Sequence, residues 1–253
     1  MRIAIRFLIT TILLVLSSGL SVAGQVRIAV ASNFAAPITE IAKAFEAATG
    51  NKVTASSGST GKIYAQILQA APFDVFVSAD QARPQLLEDQ GLTVLGSRFT
   101  YALGRLALYA GGAGVSGPKT LDDKPDGKIA IANPELAPYG RAAMETLMAL
   151  FPGRDFKARL VQGENISQTL QFVESGNAVL GFVALAQVVA RHPGSYWLVP
   201  KTMHAPIAQD AVLLRRAANN PAAQEFMTFL KSNEAAAIIG RWGYLAADAR
   251  GGS

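Results

Sequence analysis

Apolar and polar residues recur along this chain in two alternating registers, and the changes of register mark out its elements. Val26 to Ala31, in VRIAVAS, is a strand pattern. Ile38, Ile41, Ala42 and Phe45 then return at helical spacing, and Gly50 closes that helix. Lys52 to Ala55 reads as a second strand, Ile63 to Gln69 as a second helix, and Phe73 to Val77 as a buried strand. Strand, helix, strand, helix, strand is the grammar of parallel strands joined by crossovers.

The same grammar starts again after about residue 100. FTYAL and RLALYA are strand-like, and KIAIANP is a strand that runs into a turn. Arg141 to Phe151 is a helix, Ala158 to Val161 a strand, Ser167 to Ser175 a helix and AVLGFVAL a strand. PIAQDAVLL is a strand that returns to the first half, and helices at Pro221 to Ser232 and Asn233 to Arg241 complete it. The expected fold is α/β and two-lobed, each lobe a mostly parallel sheet flanked by helices, with a ligand cleft between them. Lobe 1 is expected to hold residues 24–104 and 205–253, and lobe 2 residues 105–204. In such sheets ligands bind where strands pass into helices.

The first 23 residues stand apart from this pattern. Arg2 and Arg6 precede the apolar run FLITTILLVL, and Ser21-Val22-Ala23 follows. That is the layout of a secretory signal peptide cleaved after Ala23, and the run is shorter than the roughly 20 residues of a membrane span. Its loss lowers the formal charge from +5 to about +3. The basic residues are scattered, which argues against nucleic-acid binding. The chain has no cysteine, so no disulfide, thiolate site or lipid-modified cysteine is possible, and stability rests on buried apolar surface.

Four strand-to-helix turns share one chemistry. They are Ser32-Asn33, Ser56-Ser57-Gly58-Ser59-Thr60-Gly61, Ala137-Pro138-Tyr139-Gly140 and Asn165-Ile166-Ser167. Each brings short polar side chains or free backbone N–H groups to a helix start, where a partial positive charge receives anions. Ser, Thr and Asn before a helix are also ordinary caps. SGSTGK lacks the spacing of a nucleotide-binding P-loop, because Gly58 and Gly61-Lys62 stand too close together. No Gly-x-Ser-x-Gly occurs, and His192 and His204 lack a partner at i, i+4. No catalytic residue, cofactor or bare metal-ion site is expected.

Read in order, ASNFAAP, SSGSTGKIYAQI, APFDVFVSADQ, GSRFTYALGRLALY, NPELAPYG and LGFVALAQ resemble the periplasmic molybdate/tungstate-binding proteins of ABC transporters. These belong to the type II periplasmic binding protein class, and the resemblance covers essentially the whole mature chain. It implies a periplasmic, monomeric receptor that hands its oxyanion to an inner-membrane permease. It implies Ser32, Asn33, Ser59 and Thr60 as contacts from the first two turns, and backbone N–H groups from Tyr139 and Ile166. Some members carry serine where this chain has Thr60. Others place a tyrosine hydroxyl after the strand that here reads LGFVALA, where this chain has Ala184. That contact is lost or replaced, with Asn33 as the candidate replacement.

A fully deprotonated dianion needs donors only, which hydroxyls and N–H groups supply. Phosphate would favour an acceptor for its own proton, and Glu164 is the only carboxylate at the edge of these turns. A receptor for sulfate or another tetrahedral oxyanion stays open, since it needs the same donors. An enzyme acting on an anionic metabolite would need a general base that the turns do not offer. The leader and the lack of a DNA-binding segment argue against a regulator's sensing module.

Overall fold

A computed structural model describes residues 23–112, 114–115, 117–122, 127–189 and 195–247. The leader, apart from Ala23, and His192 lie outside the described residues.

The chain opens with strand β1, Gln25–Ala31. Its alternation sends Val26, Ile28 and Val30 into a core with Phe34, Ile38, Ile41 and Phe45, while Ala29 faces a second core with Ile63 and Ile67. A strand buried on both faces belongs at the centre of a parallel sheet. β1 pairs in parallel with β2, Lys52–Gly58, on one side and β3, Val75–Val77, on the other. Strand β10, Ile207–Leu213, runs antiparallel between β3 and β4, Phe99–Gly104, giving the order β2-β1-β3-β10-β4.

The second sheet repeats that order. β5 is Leu106–Tyr109, β6 Ile129–Ala132, β7 Leu160–Gly163, β8 Leu180–Ala184 and β9 Tyr196–Leu198. They lie in the order β7-β6-β8-β5-β9. β5 takes the place β10 takes in the first sheet, antiparallel to both neighbours. In each sheet, then, four strands run one way and the fourth in the order runs against them. Only Arg105 separates β4 from β5, so the chain passes directly from one sheet into the other.

Helices cover both faces of each sheet. In chain order they are α1, Ala35–Thr49; α2, Thr60–Leu68; α3, Ala82–Asp89; α4, Pro138–Leu150; α5, Ile166–Glu174; α6, Leu185–Val188; α7, Pro221–Phe229; and α8, Asn233–Arg241. α7 and α8 pack on the first sheet through Phe226, Met227, Ile238 and Ile239.

The boundary differences from the sequence reading that bear on the cleft lie where strands pass into helices. β2 runs on through Ser56, Ser57 and Gly58, and α2 starts at Thr60 because Ser59 caps it. α4 starts at Pro138, whose fixed φ suits the first helical position. α5 starts at Ile166 behind the Asn165 cap. Residues that read as loop thus form the first helical turns. α3 has little apolar periodicity, with only Pro84 and Leu87 buried, and the hydrophobic pattern does not reveal it.

Candidate functional site

The four turns meet between the two sheets. Ser32, Asn33, Ser59, Thr60, Tyr139 and Ile166 all line one cavity of ≈ 10 Å³, with Ala31, Gly58, Ala79, Ala137 and Pro138. That space is the size of about one water. A wider groove borders it at Ser32 and Asn33, and another at Ala79 and Pro138. Among the described residues, the cavity lining contains no Asp, Glu, Lys, Arg or His.

Which donors point at the cavity follows from where the helix-start N–H groups go. At the start of α2, the Gly61 N–H donates to the Leu136 carbonyl at 2.9 Å, Lys62 N–H to Ser59 Oγ at 3.4 Å and Ile63 N–H to the Ser59 carbonyl at 3.0 Å. Thr60 N–H is left over. At the start of α4, Pro138 has no N–H, and those of Gly140 and Arg141 donate to the Ala137 carbonyl at 2.9 and 3.3 Å. Tyr139 N–H is left over. At the start of α5, Asn165 Oδ1 accepts from Ser167 and Gln168 N–H at 2.9 and 3.1 Å, and the Asn165 carbonyl from Thr169 N–H at 3.1 Å. Ile166 N–H is left over. Among the described residues, each of these three helices therefore presents one N–H without a protein partner. The short 3-10 turn Ser32–Phe34 adds the Asn33 N–H on the same terms.

Hydroxyls supply the other donors. Ser32, Ser59 and Thr60 are buried at the cavity wall. Ser59 Oγ and Thr60 Oγ1 each accept one backbone N–H, from Lys62 and Ala79 respectively, so each keeps its own hydrogen to donate.

The side chain of Asn33 has a different task from the one the sequence suggested. Its Nδ2 donates to Gln209 Oε1 at 2.9 Å and to Tyr244 Oη at 3.0 Å, which uses both amide hydrogens. It therefore does not replace a tyrosine hydroxyl as a donor to the cavity. Ala184 lies outside the lining, and its N–H donates to Gln187 Oε1 at 3.1 Å.

Behind the cavity lies a buried polar group that joins the two sheets. Gln209 Oε1 accepts from Asn33 and from Tyr101 Oη, while Gln209 Nε2 donates to Tyr139 Oη at 3.2 Å. Tyr244 Oη donates to the Asn33 carbonyl. Burial pushes the phenols of Tyr101, Tyr139 and Tyr244 well above the ordinary tyrosine value, so they stay neutral.

Further contacts cross the cleft in front. Besides Gly61 to Leu136, Arg83 Nη2 donates to the Glu135 carbonyl at 2.7 Å and Ser167 Oγ to the Ser32 carbonyl at 3.4 Å. Lys62 pairs with Glu164 at 2.6 Å, and Arg141 with Asp80 at 3.4 Å. The halves are closed against each other. Sequence reasoning missed this set, because its acceptors are mostly backbone carbonyls and carry no residue signature. Ala79, outside the four turns, also lines the cavity and was missed because its small apolar side chain carries no signal of a site. Among the described residues, no group of His, Cys, Asp or Glu could hold a metal ion, and no helix is long and apolar enough to cross a membrane.

Two like-ordered sheets that close on a pocket of neutral donors are the frame of a solute receptor, and residues 26–245 match the model of the bacterial extracellular solute-binding protein family. The chain belongs to that family, whose members bind solutes and are not enzymes. Within it, the chain is similar to the molybdate-binding protein ModA of Azotobacter vinelandii, 46% identical over 88% of this chain and 90% of the relative. It is also similar to ModA of Rhodobacter capsulatus, 44% identical over 88% and 89%. A solved structure of the Azotobacter vinelandii periplasmic molybdate-binding protein superposes with a TM-score of 0.83, at 40% identity, covering 87% of this chain and 98% of that one.

Proposed function

We propose that the chain is an extracytoplasmic receptor that captures molybdate or tungstate and delivers it to the membrane permease of an ABC transporter. The observation that carries this reading is the donor inventory. Unpaired N–H groups at Asn33, Thr60, Tyr139 and Ile166 and hydroxyls at Ser32, Ser59 and Thr60 line one cavity that has no charged side chain. Such a wall suits a fully ionised tetrahedral oxyanion. It offers no carboxylate to accept a ligand proton, which disfavours phosphate, and no counter-charge is required because aligned dipoles act strongly at low dielectric. The names and identities of the relatives support the same ligand class.

The lobes in this reading are residues 24–104 with 205–253, and residues 105–204. A closed cavity of ≈ 10 Å³ admits an anion only when the lobes part, and the two chain crossings at Arg105 and at 199–206 are where they would hinge. The leader would export the chain to the periplasm, where it acts as a monomer with no cofactor and no nucleic-acid partner.

Thermal-shift titration tests the ligand, since an anion bound only by the folded state raises the melting temperature by mass action. Molybdate and tungstate are expected to raise it at micromolar concentrations, with sulfate, chromate and phosphate far weaker. A sulfate response equal to that of molybdate would make the protein a general tetrahedral-oxyanion receptor. No response to molybdate or tungstate would overturn the reading.

A further inference from the structure

The contacts that close the cleft are not equivalent. The Lys62–Glu164 pair is exposed on both sides, 47% and 62%, and such pairs contribute little. Arg83 is different, because its side chain is only 14% exposed and its two arms serve different halves of the molecule. Nη1 donates to Asp80 Oδ2 at 2.5 Å, within the half that carries α3. Asp80 is itself fixed there, since its Oδ1 accepts from Ser78 Oγ at 3.2 Å and from Arg83 N–H at 3.1 Å. Nη2 crosses the cleft to the Glu135 carbonyl. The next carbonyl, Leu136, takes the Gly61 N–H. Two successive carbonyls of the second half are thus held by the first. Both lie just before α4, the helix whose start presents Tyr139 N–H to the cavity.

We infer that Arg83 is a closure clasp that sets how long the bound oxyanion stays, a positioning residue that never touches the anion itself. The inference rests on the oxyanion-receptor reading above. Its bond to Asp80 lies within one half and survives opening, so the guanidinium is already aimed when the halves meet. Its bond to Glu135 exists only when they are closed. Only contacts that differ between two states shift their balance, so the second bond favours the closed, loaded form and the first does not. A planar guanidinium can hold a carboxylate with one nitrogen and a carbonyl with another, which a lysine ammonium on its flexible stem does poorly. The anion enters the open form, before the clasp forms, and leaves only after it breaks. The clasp should therefore slow release and leave capture unchanged. Gly61 permits the neighbouring contact, since a Cβ there would lie 3.1 Å from Leu136 Cα.

The test uses the mature chain, radiolabelled molybdate and the variant Arg83→Lys, which keeps a cation opposite Asp80. Binding by the wild type is established first, and its absence would remove the receptor reading itself. Given wild-type binding, exchange of labelled against unlabelled molybdate gives the release rate. Release from Arg83→Lys is expected to be faster by roughly tenfold, the scale of one charge-assisted hydrogen bond. The capture rate should stay within about twofold, and the melting temperature without anion should be unchanged. A release rate equal to the wild type's overturns the clasp, as does a loss confined to capture. If the variant does not fold, amide exchange in the wild type decides. Saturating molybdate should slow exchange at Gly61, whose N–H is covered only by Leu136 across the cleft, and unchanged exchange there overturns the inference.

Discussion

The two lobes share a strand order but not a chemistry. The first brings three hydroxyls to the cavity, from Ser32, Ser59 and Thr60, together with backbone N–H groups. The second brings backbone N–H groups, from Tyr139 and Ile166, while the Tyr139 phenol is turned to Gln209. In the second lobe, proline at the first position of α4 and the Asn165 cap of α5 remove every other free donor of the helix start. Side-chain truncation can therefore subtract a cavity donor from the first lobe. In the second, a donor can be lost only by moving the backbone.

The largest effect is expected from Gly140→Ala, which attacks the second lobe in that way. A Cβ at Gly140 would collide with the Ala132 carbonyl, a backbone atom at the end of β6 that cannot turn aside. Overpacking costs about 1–3 kcal/mol and at times more, and the relief available is a shift of the α4 start that carries Tyr139 N–H. Denaturant titration should show the stability loss, and calorimetry a loss of molybdate binding well beyond it. Retained affinity would mean that the Tyr139 N–H is not a contact.

Thr60→Ala comes next, in the first lobe. It removes one donor and also leaves the buried Ala79 N–H without its acceptor, at about 1–3 kcal/mol. Calorimetry should show weaker binding, and Thr60→Ser should restore it. Asn165→Ala is expected to cost the ~1 kcal/mol of a helix cap in thermal stability, with a smaller change in affinity because Ile166 N–H remains. Ile166→Val should cost about 0.5–1.5 kcal/mol of stability for the lost methylene and leave affinity nearly unchanged. A large affinity loss in that variant would show that the Ile166 side chain, not its N–H, is what the ligand meets.

Between about pH 6 and 9 the expected effect of pH on affinity is the smallest of all, since nothing in the cavity wall titrates there. Stability behaves differently at alkaline pH. The phenols of Tyr101, Tyr139 and Tyr244 are raised by burial, whereas unfolded tyrosine ionises near about 10. Their contribution is complete below that value and is lost as pH rises through the raised folded values. Chemical denaturation across pH 8 to 11.5 should show stability flat at first and then falling, and a fall that starts near neutrality would contradict this.

The apolar run Val26 to Ala31 was enough to mark a strand, though its place at a sheet centre came only with the pairing, and the four polar turns were legible as a group. Helix starts were not, and they matter most here. Thr60, Pro138 and Ile166 follow small or polar residues that look like loop, yet each lies in a first helical turn, so the donor that remains free is decided by caps and turns of hydrogen bonding rather than by residue type. Asn33 shows the same limit. Its amide looks like a ligand group in the sequence, but Gln209 and Tyr244, 176 and 211 residues away, claim both of its hydrogens. The cross-cleft bonds to Glu135 and Leu136 end on carbonyls, which every residue has.

Because β10, α7 and α8 return to the first sheet, the first and last described elements sit on the same lobe, and the other is spliced into the chain like an insert. Fluorescent tags fused at the two ends would ride together and register nothing as the jaws move. A dye pair meant to follow the motion needs one label within residues 127–189, for instance at the exposed Met148, and the absence of native cysteine makes such thiol labelling straightforward.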